Sequence, residues 1–319
     1  MENITFILDG WDLENDILQF ASNLPNWETP TLNQWLRFGT TCPISNTNPI
    51  LHTFSGSLKQ QVLSELNLDK NTPSFLASLV FQHAGMHSVS VMHGDDLNLS
   101  WTDAHKIATI LNEFLVEDNW ECHIYKPDLW LISYDKNLDW QAPDIWNLNN
   151  QIYPHNLITG KDAGKILKIL TEIQMLFSSQ SQQNFAVNGL WLWQDTQGIS
   201  QCNLDDTIFI GNTTWLPEHN NRYIVENFSW QDIEKFSQSQ KNLVIYSHQA
   251  KLALNNGDLE EHKNIVQRFD SEFFAPIAKN LECRKTLQCN IIGSNSIIKI
   301  NPLSKLRFWK SKKHYNGKI

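Results

Sequence analysis

Ile4-Thr5-Phe6-Ile7-Leu8-Asp9-Gly10 is the stretch from which the rest of the chain is read. The short run from Ile4 to Leu8 is apolar but for one β-branched Thr, and Asp9-Gly10 closes it, the pattern of a buried strand ending in a turn. Working outward, Ser88 to Met92 repeats the pattern and stops at Gly94-Asp95. Trp120 to Tyr125 and Leu129 to Ser133 flank Lys126-Pro127-Asp128 as the arms of a hairpin would. Leu190 to Trp193, Ile208 to Ile210 and Leu243 to Tyr246 add short buried strands, and Leu287 to Ile292 with Ser296 to Ile300 form a hairpin across Gly293-Ser294-Asn295.

Helical spacing appears between these runs. Ser100 caps a helix that carries Asp103 three residues on and Ile107, Ile110, Leu111, Phe114 and Leu115 on one face. A second helix is expected from Lys161 to Phe177, with Ile166, Leu167, Leu170, Ile173 and Phe177 inward. A third starts at Asp258 and places Ile265, Phe269, Phe273, Ile277 and Leu281 at every fourth position, with Pro276 expected to kink it by removing a backbone donor. Strands and helices interleave, which predicts an α/β fold.

Composition sets the outer limits. At 319 residues, 41% hydrophobic and 18% charged, the chain has the make-up of a globular protein with its own core, not of a disordered or fibrous one. Runs such as Phe75 to Phe81 fall short of the roughly 20 apolar residues a membrane helix needs, and Glu2 and Asp9 interrupt any signal peptide, so a cytoplasmic location with no membrane partner is expected. Cys42, Cys122, Cys202, Cys283 and Cys289 are scattered, odd in number and without a C-x-x-C pair, so free thiols are expected instead of a disulfide framework or zinc site.

The net charge of −9 is unevenly spread. No Asp or Glu follows Glu282, while nine Lys and Arg do, which leaves −18 on residues 1 to 282 and +9 on the remainder. Arg307, Lys310, Lys312 and Lys313 surround Phe308 and Trp309, so one reading makes this basic tail a binder of nucleic acid or another anionic surface. The acidic body opposes the same partners, and nucleic acid is not the expected ligand.

Several residues could carry chemistry. His83 and His87 would share a helix face at i, i+4, with His93 following, but no acidic base stands between them as in a zincin, and surface or capping histidines are expected. Asp95-Asp96 and Asp205-Asp206 could each ligate a cation, but solvated turn carboxylates are the expected reading. Trp191 and Trp193 alternate on a strand and face one side, as a packing pair or as a stacking surface. Asn188 precedes them and is expected to stitch a loop through backbone hydrogen bonds. Asp9 is either a turn residue accepting amides of the next loop or a metal ligand.

Three segments carry a resemblance. Ile7-Leu8-Asp9-Gly10-Trp11, followed by Thr29-Pro30-Thr31-Leu32-Asn33-Gln34-Trp35-Leu36 and Gly39-Thr40, is similar to the start of the cofactor-independent phosphoglycerate mutases of the alkaline-phosphatase superfamily. Val187-Asn188-Gly189-Leu190-Trp191-Leu192-Trp193 resembles the Asn-x-x-Trp-x-Trp segment of the archaeal-type mutases, and more closely a bacterial group of RpfE-type regulatory proteins. Gly257-Asp258-Leu259-Glu260 resembles the Gly-Asp-x-Glu helix near the end of those mutases.

The resemblance implies an alkaline-phosphatase-like mixed or parallel sheet core flanked by helices, split into residues 1–85 and 187–319, with an inserted α+β domain at 86–186; as a packing pair, Trp191 and Trp193 would sit between the insert and the main sheet. It also implies that Asp9 matches a metal-binding carboxylate. The remainder of that centre is missing, since Asn255-Asn256 stands where the mutases have a His, and Asn290-Ile291-Ile292-Gly293-Ser294-Asn295 replaces a strand ending in Asp-His-Gly. Two divalent cations need charged or imidazole donors, and amides do not replace them.

The expected function is therefore a catalytically degenerate, mutase-like protein with a regulatory or binding role and no cofactor, taking a small phosphorylated ligand or a protein partner. The enzyme alternative is an active phosphoglycerate mutase or phosphatase using Mn or Mg. In that case Asp9 would be a ligand, the nucleophile would come from among residues such as Thr40 and Ser57, and Asn188, Trp191, Trp193, Gly257 and Asp258 would remain structural.

Overall fold

The computed structural model describes residues 2–13, 17–18, 27–44, 48–84, 89–148, 157–179, 186–200, 206–211, 222–224, 229–236, 241–283 and 287–319. The chain forms two compact units, one from Met1–Ser55 with Ile199–Ile319 and the other from Gly56–Gly198. Among the described residues no helix is long and apolar enough to cross a membrane.

The first unit is built on a seven-stranded sheet. Its strands are β1 (Asn3–Leu8), β2 (Thr40–Pro43), β10 (Thr207–Gly211), β11 (Arg222–Ile224), β12 (Asn242–Ser247), β13 (Gln288–Ile292) and β14 (Ser296–Ile300), in the order β11-β10-β12-β1-β13-β14-β2. The five strands from β11 to β13 are parallel to their neighbours, and β14 pairs antiparallel with both β13 and β2. The sheet is mixed and the class is α/β, as the interleaved pattern predicts.

β1 lies between β12 and β13, with Leu8 opposite Ser247 and Ile7 opposite Ile292. A strand with two parallel neighbours is covered on both faces, which is why Ile4 to Leu8 reads as continuous apolar sequence. Among the helices that pack on the core are α1 (Pro30–Phe38), α7 (Leu259–Phe269) and α8 (Ala275–Cys283). Leu32, Trp35, Leu36, Ile265, Phe269, Ile277 and Leu281 pack there with Phe6 and Leu8 of the sheet.

The predicted long third helix is interrupted. A π-helical segment, Asp270–Phe274, separates α7 from α8. Pro276 explains the break, since it cannot donate to the carbonyl one turn back and its ring crowds that turn, and a widened turn relieves both problems. The hairpin expected at 287–300 forms across Gly293 to Asn295 as β13 and β14.

The second unit holds an antiparallel sheet of β4 (Ser74–Ala84), β5 (Val89–His93), β6 (Glu121–Lys126), β7 (Leu129–Ser133) and β8 (Gly189–Trp193). Two short strands, β3 (Ser55–Ser57) and β9 (Gln197–Ile199), carry the chain across the two junctions. The 11-residue β4 organises the sheet. Its first half pairs with β7, its middle with β8 and its end with β5. The predicted hairpin is β6 with β7, and α3 (Trp101–Leu115) and α4 (Ala163–Ser179) cover the sheet.

Ser100 caps α3 through the Asp103 amide, as its sequence suggests. In α4, Ile169 is buried where Leu167 was expected, Leu167 being half-exposed.

The chain passes from one unit to the other at 55–56 and 198–199. β4 and β8 are each other's partners and share a sheet with β5 and β7, so both belong to the Gly56–Gly198 unit. Of the five cysteines, Cys42, Cys122 and Cys289 are free; Cys202 and the side chain of Cys283 lie outside the described residues.

Candidate functional site: the carboxyl edge of the central strand

Side chains of the first unit converge where β1 ends. Asp9 follows the last ladder residue, its N–H donates to the Ser247 carbonyl at 2.9 Å, and its carboxylate is buried. A cation is already there. Lys251 Nζ, in the short helix α6 (Gln249–Asn255), stands 3.3 Å from Asp9 Oδ2, and the Tyr246 hydroxyl donates to the same oxygen at 3.5 Å. Both charged side chains are largely withdrawn from water, with 15% and 8% of their surface exposed. Burying either alone is costly, and here the two stand side by side.

Gly10 makes this approach possible. Its φ of +82° lies in the left-handed region, and a Cβ there would run into the backbone of Ala250 and Lys251. Only glycine lets the loop press against the first turn of α6 and deliver Lys251 to Asp9. His262 of α7 fixes the loop from the other side, with Nε2 2.8 Å from the Gly10 carbonyl. A carbonyl only accepts, so Nε2 carries the hydrogen and Nδ1 holds a lone pair. The ring is fully buried beneath Trp27, and burial lowers its pKa below the usual histidine value. His52 is likewise depressed by burial.

Asp12 is the residue that sequence reading missed. Its Oδ2 accepts the amides of Ser294 at 2.7 Å and Asn295 at 3.2 Å, and its Oδ1 accepts the Ile319 amide at 2.9 Å. The role expected of Asp9, accepting loop amides, thus falls to a carboxylate three residues on. Gly293 is placed so that a Cβ would collide with Asp12 Oδ2. The turn after β13 is therefore tied to the loop after β1 by carboxylate–amide bonds. No local pattern announces this, because the partners are more than 280 residues apart.

Asp270 is a second buried carboxylate with a structural duty. It accepts the amides of Thr31 at 3.2 Å and Leu32 at 2.6 Å, so it caps α1 from the π segment while Thr29 supplies no side-chain cap. Burial raises its pKa, and the amide hydrogen bonds oppose that rise.

The remaining predicted residues separate. Gly257 has φ +72° and ends α6, while Asp258 caps α7 through the Glu261 amide at 2.9 Å, so the Gly-Asp pair is a helix-to-helix turn. Asn188 extends the β4–β8 ladder with its side chain, accepting the Gln82 amide at 2.7 Å and donating to the Gln82 carbonyl at 2.8 Å. Trp191 and Trp193 are buried within the second unit, donating to the Pro143 carbonyl at 3.0 Å and to Ser78 Oγ at 3.2 Å. They pack inside that unit's own sheet, with no open face for stacking.

His83 lies on β4 and not on a helix. His93 pairs with Val80, three residues from His83, so the two histidines point to opposite faces. His87, Asp205 and the side chain of Asp95 lie outside the described residues, and Asp206 is exposed.

Asp9 alone is one hard oxygen donor group. Among the described residues no three His, Cys, Asp or Glu side chains are placed to hold a metal ion. Its nearest charged neighbour is an ammonium, which would repel a divalent ion on the order of 4 kcal/mol per unit charge at 4 Å and an effective dielectric of 20. The described residues do not fit a two-metal centre.

No protein-family model matches the sequence, and no curated protein does. Solved structures that resemble it in outline include the following two. The cofactor-independent phosphoglycerate mutase from Thermoplasma acidophilum DSM 1728 is 12% identical, with 94% of this chain and 89% of that one covered and a TM-score of 0.42. The PH0037 protein from Pyrococcus horikoshii is 9% identical, with 94% and 87% covered and a TM-score of 0.49.

Proposed function

We propose that this chain is a phosphoglycerate-mutase-like protein of alkaline-phosphatase-like ancestry, close to the RpfE-type regulatory group. On this reading it works as a binding or regulatory protein without the two-metal phosphotransfer centre. The observation that carries the reading is the ion pair between Asp9 and Lys251. A lysine ammonium neutralises the carboxylate that a metal would otherwise need, and it does so without the second and third ligands a cation requires.

The motifs Asp9-Gly10, Asn188 to Trp193 and Gly257-Asp258 support the family reading, and each has a structural duty here that does not depend on a metal. The ligand on this reading is a small phosphorylated molecule or a protein partner, and the location is the cytoplasm. Calorimetric titration with Mn2+ tests it. The expected result is no tight binding, with no metal-dependent turnover of 3-phosphoglycerate. Two tightly bound ions per chain, or turnover abolished by Asp9→Ala, would overturn it in favour of an active mutase or phosphatase.

A further inference from the structure

The segment following β14 is ordered in an unusual way: its charged groups hold its backbone while its apolar side chains face water. Pro302–Leu306 is a 3₁₀ turn closed by reciprocal bonds between Asn301 and Ser304. Arg37 then donates to the carbonyls of Lys310 at 2.7 Å and Phe308 at 2.9 Å. Arg307 donates back to the Phe38 carbonyl at 3.2 Å and to Thr40 Oγ1, and Lys310 Nζ reaches the Gly39 carbonyl at 2.8 Å. The loop is fastened to α1 and β2 from both directions.

Against that backing, Phe308 is 73% exposed, Trp309 71%, Leu303 69% and Leu306 62%. Side chains three apart in a 3₁₀ turn eclipse, so Leu303 and Leu306 form one ridge. Phe308 and Trp309 form an edge-to-face pair with centroids 5.4 Å apart. Four large apolar side chains within seven residues, presented by a fixed backbone, are a contact surface and not scattered exposure.

The stretches of chain that carry and hold them bear charge of one sign. No Asp or Glu occurs in residues 29–64 or 283–319. These stretches include α1, β2, β14 and the 302–319 segment, all packed together on one side of the first unit. Lys299, Lys312 and Lys313 are exposed there. Asp12 and Asp270 reach these elements through the amides of Ile319, Thr31 and Leu32, while the charged side chains of the stretches themselves are all cationic on a protein of net charge −9.

We propose that Leu303, Leu306, Phe308 and Trp309, with the surrounding lysines, form a docking surface for an anionic lipid bilayer. Aromatic and leucine side chains enter the headgroup boundary, and lysines with long apolar stems keep their ammonium groups among lipid phosphates. An aliphatic ridge suits acyl chains better than nucleobases, which gain from stacking on aromatic rings and little from leucine. Peripheral contact of this kind needs no membrane-spanning helix. A screening length of about 8 Å at physiological salt confines the repulsion from the acidic remainder, so the local face decides the contact.

Sedimentation of the full chain with vesicles tests the proposal. Binding is expected with phosphatidylcholine vesicles containing phosphatidylglycerol, not with phosphatidylcholine alone, and it should weaken as salt rises. Phe308→Ser with Trp309→Ser should reduce it by at least about tenfold, and Lys312→Ser with Lys313→Ser by roughly tenfold or more. All four side chains are exposed, so unchanged thermal melting separates lost docking from lost folding. The proposal falls if neither vesicle binds or if the variants bind like the parent. It also falls if the substitutions instead abolish self-association or retention of RNA, which would assign the surface to a second copy or to a nucleic acid.

Discussion

Asp12 Oδ2 accepts the Ser294 amide at 2.7 Å, joining the loop after the central strand to the turn that closes the β13–β14 hairpin. With Asn295 and Ile319 added, one carboxylate satisfies three backbone donors from residues remote in sequence. Charge-assisted bonds of this kind are about twice as strong as neutral ones, and losing the acceptor leaves the donors without it.

Asp12→Ala should therefore destabilise the first unit by about 2–3 kcal/mol, read as a lowered denaturant midpoint. Asp12→Asn keeps an acceptor oxygen and should cost less. Equal stability of both variants and the parent would show that water replaces the carboxylate at no cost.

Gly10→Ala should be among the most damaging single methyl additions in the chain. It combines a left-handed φ with a collision against the Ala250–Lys251 backbone, so a loss of about 3 kcal/mol or more is expected. Gly257→Ala provides the control. It has a similar φ of +72° but nothing within 4 Å of an added Cβ, so only the conformational cost of about 1 kcal/mol remains.

His262 gives the fold an acid-sensitive point. Burial lowers its folded pKa, so in the unfolded chain it takes up a proton near pH 6.5 while the folded chain resists. The unfolded state then holds more protons, and stability declines as pH falls from about 6.5 towards the folded value. His52 shifts the same way for the same reason. Denaturant midpoints measured across this range should fall towards acid, and His262→Gln, which can still donate to Gly10, should flatten part of the slope.

Asp270 works with the opposite sign. Its folded pKa is raised, chiefly by burial, so the unfolded chain releases the proton first and stability declines as pH rises from about 3.8 to the raised folded value. Asp270→Asn removes the titrating charge while keeping one acceptor for the start of α1, so it should be less harmful than Asp270→Ala, which is expected to cost about 3 kcal/mol. Thermal melts of both variants at neutral pH separate the two effects.

Much of the architecture is legible in local sequence, because strand and helix periodicities are local properties. Ile4 to Leu8, the two hairpins, the Ser100 cap and the Gly257-Asp258 turn depend on residues within a few positions of each other. The strand β4 is less visible, since Phe75 to Phe81 is an apolar run of either type until its partners β5, β7 and β8 fix it as extended. The same partners place β4 and β8 together in the Gly56–Gly198 unit.

Local sequence is enough for an α/β chain with a carboxylate at the end of its first strand and a sharp division of charge. Tertiary structure alone decided that Lys251 stands against Asp9, that Asp12 binds the turn at Ser294, and that Phe308 and Trp309 face outward. Those outcomes depend on distances between residues more than 200 positions apart and on which side of a fixed loop a ring projects. Neither quantity leaves a periodicity or a spacing in the chain.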